Sequence, residues 1–131
     1  MIRARAPLVA VIASAGAVVS VWRYPVRAPQ SEPSGEPGVA AAGRALAAAA
    51  RARQPSLELV RRRELRVSGL PAVELDALER IHGLLRRVRS THIFTPGAEI
   101  VLEEYAPPAG FHAVDHSVFS PLRRSLVITA G

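Results

Sequence analysis

Between Arg5 and Arg23 the chain carries no charged residue. The run from Ala6 to Trp22 reads APLVAVIASAGAVVSVW and is built mainly of Ala, Val, Leu and Ile. A segment this apolar has to leave water, into a bilayer or into a protein core. Coiled as a helix it spans roughly 25 Å at about 1.5 Å per residue, the short end of what crosses a hydrocarbon layer about 30 Å thick. Arg5 lies at one end, and Trp22, Arg23 and Tyr24 at the other. These residue types sit at headgroup level, arginine by snorkelling and the aromatics as an interfacial belt. The pattern predicts an N-terminal hydrophobic helix over residues 1–24 that serves as a single-pass signal-anchor or targeting segment.

Two other readings of the same residues stay open. Ala13-Ser14-Ala15 fits the small-residue site of a cleaved secretory signal, although cleavage there leaves a very short apolar core. Arg3, Arg5, Arg23 and Arg27 fall in a stretch of thirty-one residues with no acid, which suits a mitochondrial presequence. The arginines are nearly balanced across the run, so orientation is weakly set; the preferred reading puts the bulk of the chain outside the cytoplasm. The expected location is therefore a membrane, with the mitochondrion as the alternative.

Residues 25–38 (PVRAPQSEPSGEPG) repeat proline among Ser, Gly and Glu, a composition that cannot continue a helix and reads as an extended linker. Residues 39–55 are alanine-rich, which favours helix, with Pro55 as a stop. Val39 and Leu46 are the large apolar residues of this stretch, so it is expected to act as a stalk or peripheral helix. Residues 56–131 are left to form a small α+β domain.

Within that domain Glu64–Val67 reads as a strand ended by Ser68-Gly69. Pro71–Arg89 carries Val73, Ala77, Ile81, Leu84, Leu85 and Val88 at intervals of three to four, with acids early and arginines late. That is the signature of an amphipathic helix aligned with its dipole, and Gly83 would mark a close crossing. Thr91 to Tyr105 reads as a hairpin turning at Pro96-Gly97, and Leu126–Thr129 as a last strand. The expected fold class is thus α+β: the hydrophobic helix, a Pro-rich linker, and one main helix packed on a short antiparallel sheet.

The chain has seventeen arginines and no lysine, and a net charge of +6. Arginine here fills the places lysine takes elsewhere, which weakens each one as a functional clue. Arg61, Arg62, Arg63 and Arg66 form the densest basic patch; a triplet like this is more often a solvated face than a nucleic-acid site. Cysteine is absent, which excludes disulfides, thiolate metal sites and cysteine nucleophiles.

One constellation carries metal-site spacing. His112 and His116 are four apart with Asp115 between, so a helix would bring them to one face. The HExxH pattern is not met, since no Glu lies between the histidines, and a three-ligand site would need a further residue placed by the fold. No G-x-S-x-G elbow and no phosphate loop is present, and no motif implies a cofactor. Glu103-Glu104 would point to opposite faces of a strand and so could not act as a pair.

The sequence therefore leads to a non-enzymatic, membrane-tethered accessory or assembly protein. Its small domain would dock onto a protein partner of the envelope, through strand edges and the apolar Phe111, Val114, Val118 and Phe119. One alternative is a mitochondrially imported structural subunit that contacts RNA through its arginines, although nucleic acid is not the favoured partner. The other is a small metal-binding protein or hydrolase that uses His112, Asp115 and His116.

Overall fold

The computed structural model describes residues 8–14, 17–25 and 35–128, with side chains from 17 to 25 and from 38 to 128. The molecule is an antiparallel sheet with helices on both faces, the α+β class expected. Its strands are β1 (Leu8–Ser14), β2 (Ala17–Pro25), β3 (Glu58–Val67), β4 (Leu70–Ile81), β5 (Leu84–Thr95) and β6 (Ala98–Ala106). They lie in the order β1-β2-β6-β5-β4-β3. The helix α1 (Gly35–Arg53) packs over β3 and β4. The opposite face carries a C-terminal helical segment: a 3-10 turn at Pro108–Gly110, α2 (Phe111–Val114), a π turn at Asp115–Phe119, and α3 (Ser120–Ser125).

The hydrophobic run departs from the helix expected of it. Its described residues, 8–14 and 17–22, lie in β1 and β2, and β2 is inserted between β1 and β6. The physical reason lies in the valines. Val18, Val19 and Val21 are β-branched and favour a pleated strand. Ala17, Val19 and Val21 meet Leu102, Ala106, Phe111 and Phe119 in one core cluster. No helix among the described residues is long and apolar enough to cross a membrane. Of the linker, Pro25 closes β2 and Gly35–Gly38 begin α1, while residues 26–34 lie outside the described residues, as does Arg5.

The stretch read as the main helix is the largest correction. Leu70–Ile81 and Leu84–Thr95 are two long strands paired from Ile81↔Leu84 to Ala72↔Ile93. Both turn residues between them have positive φ, 52° at His82 and 80° at Gly83, the signature of a type I′ hairpin. Gly83 is thus a turn residue rather than a helix crossing. The hairpin Ser68-Gly69 before β4 has the same form, with φ of 51° and 77°.

The alanine-rich helix is found, and of the two roles expected it is a helix packed on the sheet rather than a stalk. Val39 and Ala47 are buried against Val73, Leu75 and Phe94. Gly43 lets the helix ride close: an added Cβ there would meet the Arg62 side chain at 3.3 Å and Val73 at 3.4 Å. The hairpin at Pro96-Gly97 and the strand before it form as the sequence predicts. Leu126–Ile128 has no regular structure, so the expected last strand is not formed there; Thr129 lies outside the described residues. Phe111 and Phe119, proposed as a contact surface, are instead buried against the sheet, with Val114 and Val118 packed beside them.

Candidate partner-binding groove

Because a strand shows alternate side chains to opposite faces, the register assigns each charged residue to one side of the sheet. Glu74, Asp76, Arg87, Arg89, Thr91 and Glu104 face the C-terminal segment; Glu79, Ser90, Glu103 and Tyr105 face α1. Glu103 and Glu104 do point apart.

The C-terminal face is a closed ionic layer. Arg89 donates from Nε to Glu104 at 2.6 Å and from Nη2 to Asp115 at 2.6 Å. Arg123 donates to Glu74 at 2.8 Å and to Thr91, and Arg87 holds Asp76 with two bonds of 2.9 and 2.7 Å. Arg63 adds a further bond to Glu74 at 3.2 Å. The guanidinium carbons of Arg87 and Arg89 stand 4.9 and 5.4 Å above the Phe111 ring, which packs on Phe119 at 5.5 Å. Burial pushes the Glu74 carboxyl up, but Arg123 and Arg63 outweigh it and hold the group below the usual carboxylate range. Asp115 is likewise held low, first by its hydrogen bond from Arg89. At Glu104 burial wins over Arg89 and the carboxyl is raised; its Oε2 has no hydrogen-bond partner among the described residues. This layer fastens the C-terminal segment to the sheet.

The expected metal ligands lie in that segment. His112 and His116 are exposed, while Asp115 is taken by Arg89 and by the Ser120 hydroxyl at 3.1 Å. Among the described residues no group of three or more His, Asp or Glu side chains is placed to hold a metal ion. The basic patch is divided by the pleat of β3. Arg61 and Arg63 share the C-terminal face, Arg63 bound to Glu74; Arg62 and Arg66 share the other, Arg66 bonded to the Gly69 carbonyl at 2.9 Å. At the far end of the sheet Trp22 and Tyr24 lie on the α1 face, with Arg23 exposed on the opposite one. The Trp22 indole donates to the Ser20 hydroxyl at 3.0 Å.

The α1 face is open where the C-terminal face is filled. The helix ends at Arg53, and a groove of about 280 Å³ lies between Ala50, Arg53, Gln54 and Leu57 on one side and the sheet on the other. Two rows of side chains make its floor: Leu75, Ser90 and Glu103, then Leu59, Ala77, Val88 and Tyr105. Glu79 closes the end nearest the β4–β5 turn. The amide of Gln54 donates to the Arg80 carbonyl at 2.9 Å, tying the helix end to that hairpin. The hairpin tip runs past both neighbours, since β3 pairs only as far as Leu78 and β6 only as far as Arg87. It carries Leu84 and Leu85 at 57% and 44% exposure.

The groove's electrostatics differ from the ionic layer's. Burial raises the Glu79 carboxyl, and the negative charge of Glu103 raises it further. Burial and Glu103 also push the Tyr105 hydroxyl up. Arg53 pulls both back without forming an ion pair with either acid. Sequence reasoning missed this site because its two carboxylates are twenty-four positions apart and meet only once three strands are paired.

No protein-family model and no curated protein matches the sequence. Solved structures share the fold. A Pseudomonas aeruginosa protein of unknown function, PA94, is 17% identical with a TM-score of 0.72, over 100% of this chain and 88% of its own. The PsbP protein of Synechocystis, CyanoP, is 13% identical with a TM-score of 0.64, over 88% of this chain and 69% of its own. LpqN of Mycobacterium tuberculosis, involved in cell envelope biogenesis, is 15% identical with a TM-score of 0.53, over 76% of this chain and 56% of its own. At these identities the likeness is one of fold alone.

Proposed function

We propose that this protein is a non-enzymatic accessory protein of the cell envelope that docks a protein partner in the groove beside α1. The likeness to PsbP and LpqN is compatible with an accessory role. The observation that carries the reading is the joining of two surfaces: a groove lined by both apolar and acidic side chains, and a hairpin tip that leaves Leu84 bare on the same face of the sheet. A concave site with a few convergent polar groups is the default place for binding, and a bare leucine at its edge adds apolar surface for a partner to cover. The membrane tether belongs to the same proposal as a separate question. Ala17 and Val19 either fill the core in β2 or lie in a spanning helix, and fractionation of the full chain after a carbonate wash distinguishes the two.

A photo-crosslinking amino acid placed at Leu84 in the source cell tests the docking surface. The expected result is a discrete protein adduct from Leu84 that is missing when the same group stands at Val127, which is also bare but lies away from the groove. Equal labelling from both positions, or none from either, counts against the proposal.

A further inference from the structure

Resting on the docking reading, we infer that the groove receives a basic side chain of the partner, an arginine flanked by apolar residues, with Glu79 and Glu103 as its counter-charge. The case starts from a contrast. This chain has seventeen arginines against eleven acids, and on the C-terminal face Glu74, Asp76, Glu104 and Asp115 are each matched to a guanidinium. Glu99, at the other end of β6, is paired with His92 at 2.7 Å. Glu79 and Glu103 are half-buried, face the groove, and form no ion pair among the described residues. Arg86 stands directly across from Glu79 in β5 and Arg53 lies at the rim, yet neither closes on an acid. In a basic protein, this groove keeps two acids that no arginine has closed on among the described residues.

Size and lining agree with this occupant. A volume of about 280 Å³ is at the lower edge of small-molecule pockets, which run from about 300 to 1,000 Å³, and suits one or two side chains. An arginine can lay its methylenes on Ala77 and Val88 and carry its planar head to the carboxylates, where charge-assisted hydrogen bonds form. Flanking apolar residues of the partner would meet Leu57 in the groove and Leu84 on the hairpin tip. A half-buried carboxylate raised by burial and by a neighbouring acid gains from such a cation, because the opposite charge offsets the cost of burial and the repulsion.

The test uses the full chain and three pools of nine-residue peptides. The flanking positions are randomised among apolar residues, and the centre is fixed as arginine, citrulline or glutamate. Citrulline keeps the shape of arginine without its charge. The expected result is that the arginine pool binds at least roughly tenfold more tightly than the citrulline pool and the glutamate pool not at all. Glu79→Gln and Glu103→Gln, made singly and together, should erase the arginine preference while leaving the melting temperature equal or higher. Leu84→Ser should weaken every pool that binds. If arginine and citrulline pools bind alike, or if the preference survives the double substitution, the charge inference is overturned and the docking groove stands. If no pool binds, both fail.

Discussion

Arg89 reaches Glu104 and Asp115 from one guanidinium, and Glu104 is fully buried. Removing Arg89 strands that carboxylate without its nearest cation, leaving Arg123 at 3.8 Å as its remaining ion pair. Breaking one side of a buried pair costs about 3–5 kcal/mol, so Arg89→Ala should lose stability on that scale in urea denaturation at neutral pH. The pH dependence has a definite sign. Glu74 and Asp115 are held low, so the stability they contribute is present above the ordinary carboxylate range and is lost as pH falls through their folded values. Glu104 is raised, so its burial is costly at neutral pH and becomes cheaper as pH falls. Without Arg89 that rise is larger. The variant should therefore recover part of its deficit relative to the wild type between neutrality and about pH 5, before the other carboxylates titrate. A deficit that stays constant over this range would show that Glu104 does not carry the cost.

The elements show what a single sequence conceals. The apolar positions of 70–89 satisfy two periods at once. Val73, Ala77, Ile81, Leu84 and Val88 fit a helix, while Val73, Leu75 and Ala77 fit one face of a strand. The deciding residues were Glu74 and Asp76, which look like a solvated helix turn but are buried in β4. Their partners Arg87 and Arg123 lie eleven and forty-nine positions away, beyond any local pattern. The local signal is His82-Gly83, a pair suited to a type I′ turn, but a glycine there also fits a close crossing of a helix. The Pro96-Gly97 turn and the alanine-rich helix were legible because each rests on local conformational preference. The groove was not, because it exists only where β4, β5 and β6 stand side by side. Gly83→Ala tests the hairpin assignment. Nothing lies within 4 Å of the added Cβ, so the cost is backbone strain alone at a φ of 80°. A loss of about 1–2 kcal/mol is expected in thermal denaturation. In the helix read from the sequence the same change would add about 1 kcal/mol of stability, so the direction of the shift separates the two.

At the scale of the whole molecule, the question is what the apolar run does for the rest of the chain. Without β2, strand β6 would lose its pairing from Ala98 to Tyr105 and the sheet would end on a long, flat edge. Val19 would leave the cluster that holds Phe111 and Phe119, and with it the seat of the C-terminal segment. The sheet and that segment are therefore one cooperative unit only if residues 17–25 are paired. Val19→Asp places an unpartnered carboxylate at a position 1% exposed, in contact with the Phe119 cluster. A loss of about 3–5 kcal/mol is expected. It should appear as a lower melting temperature and as faster amide exchange throughout β6 and the C-terminal segment. In the wild type, amides of 18–25 that bond to β6 should exchange as slowly as those of β6 itself, since both open only with the sheet. A run acting purely as a tether would behave otherwise: Val19→Asp would alter membrane fractionation and leave the melt of the domain unmoved. Measuring exchange and fractionation on the same variant separates a strand of the core from an anchor.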